Sequence, residues 1–427
     1  MSDQDSHITP ITVDQYHPKA MVRLKSGRKS LWAGLALSLQ LAATGASAQV
    51  GKWEQTASMA TARDAFAALA TKGKVYAFGG RLNPDGFTAR MAEIYTPGGD
   101  GAVAAFALSG DMTTDRSFFP LVTLTDGISI LAPGGFRRGA AYYTTTRTAE
   151  VFNTNTGKWT ATGSMQAARE LFTGTRLPDG SVLVAGGFSN GAILSTSEVY
   201  TPATGTFAFT RGGMTNSRHG HAAVLIPGVA GYALAGKVLV IGGRTVQDAS
   251  LFSSEVFDPA RGCWEAGPAS NEDRFRHTAT ALNDGRVLLA GGYSSKQGKT
   301  LATAEIYDPA ANAFTLLDAS NCDSPTMSDT RMDHTATLLT GGKVLLVGGW
   351  SSVKASTVGS ADIFDPTVNP ETHRIRGFVQ AAPLPGAGRH EHIATLLPDG
   401  KRVLVAGGLR VEGNLKQTLT DACIFTP

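Results

Sequence analysis

The sequence predicts an all-β fold, a seven-bladed β-propeller of four-stranded antiparallel blades. Three observations carry this. Double glycines recur at Gly79-Gly80, Gly134-Gly135, Gly186-Gly187, Gly242-Gly243, Gly291-Gly292, Gly348-Gly349 and Gly407-Gly408. Their spacing averages about 55 residues, a period that with several short strands per unit points to propeller blades. Each is preceded by one opening, Arg-x-x-Phe from Arg63, Arg116 and Arg169 and Arg-x-x-His from Arg218, Arg274, Arg331 and Arg389. The ends of the array are also complementary: it begins with an outer strand and finishes without one.

Residues 274–292 show how one unit arises. The alternation after His277 suits a half-buried strand (a), and the apolar run 287–290 suits a strand (b) covered on both faces. Asp284-Gly285 between them is a tight hairpin signal, because glycine reaches φ > 0 without steric cost. A polar loop follows each double glycine. Strand c then opens with an acid and two strand formers, at Glu93, Glu150, Glu198, Glu255, Glu305, Asp362 and, less regularly, Asp421. A turn leads to the aromatic of strand d: Phe106, Trp159, Phe207, Trp264, Phe314 and Phe378.

At the start, Gly51-Lys52-Trp53 matches strand d, as in Gly157-Lys158-Trp159. The last unit stops at strand c, residues 421–427. The N-terminal strand is therefore expected to complete the last blade and close the ring, leaving no open edge. The chain's length alone suggests two or three domains, but each unit needs neighbours to bury its faces, so residues 49–427 read as one propeller.

Residues 1–48 read as a secretory signal peptide cut after Ala48. Arg23, Lys25, Arg28 and Lys29 precede an apolar run, 31–39, that is too short to span a membrane, and Ala46-Ser47-Ala48 supplies the small-residue cleavage pattern. An uncleaved anchor is the alternative. The mature protein is expected to be exported (periplasmic, secreted or at the cell surface), monomeric and not integral to a membrane. Cleavage removes five basic and three acidic residues and takes the formal charge from +3 to +1. With no polybasic stripe interleaved with aromatics, nucleic acid is not an expected partner.

The double glycine, the aromatic near a Pro turn and the Trp or Phe on the next strand together resemble the kelch repeat over residues 53–427. The resemblance implies a propeller that serves as a protein-binding module, a sugar-handling protein or the scaffold of a galactose-oxidase-like copper enzyme. The last would require a further domain after the propeller and a Tyr–Cys pair, and the one Tyr-His pair in the sequence, Tyr16-His17, precedes the repeats. No metal or cofactor is expected.

Four sets of residues are candidates for function. Arg63, Arg116, Arg169, Arg218, Arg274, Arg331 and Arg389 stand where the chain enters the innermost strand, so they suit an anion-binding ring at one mouth of the channel. The alternative is a repeated structural ion pair, because each unit also supplies one strand-c acid. His221, His277, His334 and His392 share their position with Phe66, Phe119 and Phe172, an interchange that argues for packing over metal binding. Asp64, Glu170, His219, Asp333, His390 and Glu391 break the repeat one or two residues after the arginines. They would rim the same mouth, either as a solvated edge or as acid–base groups for a sugar or acid.

The fourth set lies in the b–c loops, which should share that face. It includes Arg137, Arg138, Tyr142, Tyr143, Tyr293 and Trp350 among many basic and aromatic residues, with few acids. Rings beside guanidinium forks suit an acidic glycan or acidic peptide. The expected function is thus a non-enzymatic module recognising a glycan or protein through one loop face. The alternative is a carbohydrate-active enzyme of epimerase or mutarotase type. Three cysteines make an odd count: a Cys263–Cys423 bridge is excluded by their separation around the ring, and a Cys263–Cys322 bridge stays open.

Overall fold

A computed structural model of the chain describes residues 50–427 except 83–85, 100–102, 229–232 and 387; the signal segment 1–48 lies outside the described residues. Those described form strands and turns with no helix. Among the described residues one sheet plan recurs in seven sheets, one of which gains a fifth strand. In the fifth unit, strand a (Thr278–Ala281) pairs with b (Val287–Ala290), b with c (Ala304–Asp308) and c with d (Ala313–Leu316), all antiparallel. This is the arrangement of a propeller.

Burial follows strand rank. The b strands Val182–Ala185, Val238–Ile241, Val287–Ala290, Val344–Val347 and Val403–Ala406 are buried at every position, as runs covered by a sheet on each side must be. Outer strands such as Thr206–Phe209 expose most of their residues. Core clusters lie between neighbouring sheets. One joins Val75, Ala77 and Tyr95 of the first unit to Leu404, Ala406 and Ile424 of the last.

The double glycines act as inter-sheet couplers. At Gly186 (φ +63°) a β-carbon would lie 2.6 Å from the Arg218 carbonyl oxygen and 2.8 Å from His221 Cε1, both in the next unit. The following Gly187 donates its N–H to that same carbonyl at 2.8 Å. Left-handed backbone and close approach together leave glycine as the residue that fits.

The N-terminal strand Lys52–Gln55 pairs with the C-terminal strand Ala422–Thr426, Trp53 opposite Phe425. The Trp53 ring packs 4.9 Å from that of Phe425, and its Nε1 donates to the Ala382 carbonyl at 2.7 Å. Two local features depart from the sequence reading. The segment read as a loop at 136–143 is a hairpin, Phe136–Gly139 with Tyr142–Thr145. The long stretch before Arg331 adds a strand, Cys322–Ser324, parallel to Ile375–Ala381. Cys263, Cys322 and Cys423 are all free thiols.

Candidate functional site

Seven backbone hydrogen bonds place the site. In every unit the residue two positions after the opening arginine is left-handed, with φ from 48° at Ala65 to 57° at Gly220. Phe118 donates to Ala65, Leu171 to Phe118, Gly220 to Leu171, Arg276 to Gly220, Asp333 to Arg276, Glu391 to Asp333 and Ala65 to Glu391, at 2.8–3.2 Å. The circuit returns to its start. One residue earlier, Asp64, Glu170, His219 and His390 bridge to Arg81, Phe188, Arg244 and Leu409, the residues that follow the double glycines.

Charged side chains from four units converge at this circuit. Arg81 donates through Nε to Asp64 Oδ1 at 2.7 Å and through Nη2 to Glu391 Oε2. Arg276 Nη1 donates to Asp333 Oδ2 at 2.9 Å and to Glu391 Oε1 at 3.1 Å. The result is an unbroken chain, Asp64–Arg81–Glu391–Arg276–Asp333. The Phe118 ring lies 4.8 Å from the Arg81 guanidinium and 5.8 Å from that of Arg276, positions suited to cation–π attraction.

The carboxyls here are hard to ionise. Burial pushes Asp64 and Asp333 up to about 6, with the neighbouring Glu391 adding to the rise and the arginines opposing it. Glu170 is 4% exposed, and its Oε2 has no hydrogen-bond partner. Burial pushes it up to about 8 despite Arg276 and Arg81, so it carries its proton at neutral pH. Burial, then Arg276 and Arg244, hold His219 down to about 3, a neutral imidazole lying edge-on to Phe275 at 5.2 Å.

A cavity of about 330 Å³ opens beside the circuit. Phe66, Phe118, Phe119, Leu171 and Phe172 line one part, His221, His277, His334 and His392 another, and Arg276, Asp333 and Glu391 supply its charge. The histidines are held as packing groups. Nε2 of His221, His334 and His392 shares a hydrogen bond with Thr173, Thr278 and Thr335 at 3.1, 3.1 and 3.0 Å. Ala222 stands where His277 would find its threonine. Each ring lies over the first glycine of a neighbouring double glycine, as Phe119 does over Gly79, which is why phenylalanine and histidine interchange.

The seven opening arginines do not reach this cavity's charge system. All are buried, and each is spent on its own unit. Arg63 pairs with Glu93 at 3.0 Å, Arg116 with Glu150 at 2.7 Å, Arg169 with Glu198 at 2.7 Å and Arg218 with Glu255 at 2.8 Å. Arg274 pairs with Glu305 at 3.2 Å, Arg331 with Asp362 at 2.5 Å, and Arg389 with Asp421. The second guanidinium nitrogen bonds backbone carbonyls, as Arg169 Nη1 does to Gly186 and Thr196 at 2.8 and 3.0 Å. In place of an anion ring these residues cross-link strands a, b and c.

Among the loop residues, Tyr142 and Tyr143 are 41% and 42% exposed and Arg138 is exposed, while Arg137 is held by Asp115 at 2.7 Å. Tyr293 and Trp350 belong to the inner layer, their backbones bridging to Phe275 and Met332.

No family model matches the chain, and no curated protein matches it in sequence. Solved structures do match. The structure of YjhT is 11% identical with a TM-score of 0.56, over 76% of this chain and 99% of that one. A fungal alcohol oxidase of the AA5 family, in complex with copper, is 16% identical with a TM-score of 0.64, over 88% of this chain and 76% of that one. The likeness is one of fold: the chain is an all-β propeller, distantly similar to kelch and galactose-oxidase propellers.

Copper does not fit the donors present. Among the described residues Asp333, His390 and Glu391 bring potential ligand atoms within 4.8 Å of one another. Both carboxylates already accept from Arg276, and one imidazole with two carboxylates beside two guanidiniums is not the nitrogen-rich set that copper(II) takes.

Sequence reasoning gathered the acids of this site but passed over Arg276 and Phe118 and left Arg81 unnamed among the many basic loop residues. A signal for two of them was present. Arg276 and Phe118 occupy the same repeat position as Asp333 and Glu391, a position that varies in every unit.

Proposed function

We propose that this is an exported kelch-type propeller of seven blades, its ring closed by the N-terminal strand, which binds a sugar-sized ligand at its axis as a monomer. The seven-membered hydrogen-bond circuit and the pairing of Lys52–Gln55 with Ala422–Thr426 support the ring. The basic stretch 19–29, the apolar run and Ala46-Ser47-Ala48 support export.

The observation that carries the ligand reading is the Asp64–Arg81–Glu391–Arg276–Asp333 chain beside the cavity of about 330 Å³. Sugar hydroxyls both donate and accept, so they suit alternating carboxylates and guanidiniums. The CH face of a sugar ring suits the Phe118 side of the lining. A recess with convergent polar groups fits a small molecule better than a flat protein surface. Of the two partner classes read from the sequence, a glycan is thus favoured over a protein.

Glu170 favours a second reading, acid–base chemistry on the bound sugar. A carboxyl that keeps its proton to about 8 can donate it, and Asp64 or Asp333, held near 6, can accept one. Calorimetric titration with a panel of neutral and acidic mono- and oligosaccharides tests the first reading. Binding is expected in the parent and its loss in Arg276→Met. A panel without binding, or an Arg276→Met protein that binds as the parent does, overturns it. Exchange spectroscopy of the bound sugar's anomers, in the parent and in Glu170→Gln, tests the second.

A further inference from the structure

We propose that side chains on the b–c hairpins of the first two units, Arg81–Leu82 with Phe87–Thr88 and Phe136–Gly139 with Tyr142–Thr145, form a separate binding site for an acidic polysaccharide. Among the described residues the exposed aromatic side chains are Phe87, Tyr142, Tyr143 and Phe209, at 36%, 41%, 42% and 55% exposure. All but Phe209 lie on these two hairpins. Soluble proteins seldom leave several rings exposed in one place without a use for them.

The patch is built rather than loose. Thr88 of the first hairpin accepts from the Arg138 N–H at 2.9 Å and donates to the Arg138 carbonyl at 3.2 Å, tying the hairpins together. The Tyr142 ring lies across Gly139, where a β-carbon would come within 2.6 Å of it. Tyr142 Oη donates to Asp115 Oδ2 at 3.1 Å, and the Arg137 guanidinium sits 4.9 Å from the ring centroid, itself held to Asp115. Tyr143 packs edge-on against Phe136 at 4.7 Å. Side chains already fixed lose little freedom on binding, which favours affinity.

Along residues 81–90 and 136–147 basic residues outnumber acids five to one, the acid being Asp85. Arg137 and Asp115 neutralise each other, whereas Arg90, Arg138 and Arg147 are exposed and enter no ion pair among the described residues. Arg90 comes two residues after the first hairpin and Arg147 two residues after the second. A uronate-type polysaccharide offers apolar ring faces to the aromatics and a carboxylate on successive residues to the guanidinium forks. An acidic peptide would use the arginines and leave the rings idle; a neutral glycan would do the reverse. Arg81 of the axial cluster begins the first hairpin, but the exposed rings and arginines invoked here are other side chains, so the patch stands or falls apart from the sugar site proposed there.

The test uses oligogalacturonate as the probe, with maltoheptaose and poly-glutamate as comparisons. The parent should bind oligogalacturonate, with an affinity that falls several-fold as salt rises from about 50 to about 300 mM. Arg90→Ala/Arg138→Ala, both exposed, should weaken it about tenfold or more, as expected for the loss of two charged forks, without changing the melting temperature. Tyr143→Ala should weaken it, and Tyr143→Phe should restore it. The proposal is overturned by any of three results: no binding of oligogalacturonate, poly-glutamate bound as tightly, or an arginine double variant that binds like the parent.

Discussion

Glu170→Gln isolates the most unusual group in the protein. The Glu170 carboxyl is buried, one oxygen lacks a partner, and its affinity for protons rises from 4.5 to about 8. The sign follows from linkage. Below pH 4 the folded and unfolded chains both hold the proton, and Glu170 leaves stability unchanged. As pH rises past 4.5 the unfolded chain releases it while the folded chain keeps it, so the unfolded state gains and stability falls until about pH 8. At about 1.4 kcal/mol per tenfold in proton affinity, the interval from 4.5 to 7 amounts to about 3 kcal/mol. Reaching pH 8 adds about 1 kcal/mol more.

Glutamine keeps the shape and the hydrogen-bonding capacity of the neutral acid but cannot ionise. Urea unfolding of parent and variant at pH 4, 5.5, 7 and 8.5 reads the difference directly. The two should match within about 1 kcal/mol at pH 4, and the variant should lead by about 3 kcal/mol at pH 7. Asp64 and Asp333 titrate in both proteins and cancel in the comparison. A difference that stays constant across this range would falsify the reasoning, because it would mean that Glu170 ionises normally in the folded protein.

Three further outcomes are expected. Arg169→Met should destabilise the protein by about 3–5 kcal/mol, since it strands Glu198 in the core, and adding Glu198→Leu should recover much of the loss; chemical denaturation that finds no recovery counts against a buried pair. Deleting residues 50–55 removes the partner of Ala422–Thr426 and exposes a sheet edge, so the truncated protein should melt lower and aggregate; an unchanged melting temperature refutes closure by this strand. Thiol titration of unfolded, unreduced protein should count three free thiols, and a lower count would reveal a bridge.

The fold was legible because the repeat states its own needs. Glycine at each inter-sheet coupler, an apolar run for each b strand and one Arg with one acid per unit are demands of packing, identical in every copy, and so they surface as a pattern. The ion-pair alternative could be read from stoichiometry alone, one strand-c acid for each opening arginine, and Arg169–Glu198 shows why. The axial site was legible only in part, for the complementary reason. Its residues are the ones the repeat does not dictate, and spacing says where Glu391 sits but not that Arg81, 310 positions away, reaches it. The b–c hairpins were less legible still. Residues 136–143 have a loop's composition, and their pairing depends on a Gly139 that makes room for the Tyr142 ring.

The backbone circuit gives a physical reason for putting a site at the axis. Left-handed backbone disfavours any residue with a β-carbon by about 1–2 kcal/mol, yet among its seven positions glycine appears once, at Gly220. The other six hold Ala65, Phe118, Leu171, Arg276, Asp333 and Glu391. If the circuit served closure alone, glycine would serve at all seven positions with less strain. The side chains actually present divide the ring in two: Ala65, Phe118 and Leu171 form an apolar arc, while Arg276, Asp333 and Glu391 form a charged one. A repeated backbone thus carries a sharply asymmetric surface, with a ring at Phe118 facing guanidiniums that reach across from other units. Strain retained at positions where the fold does not require it is a mark of function. An apolar arc opposite a charged arc gives a small ligand with one apolar face and several hydroxyls a single favoured orientation.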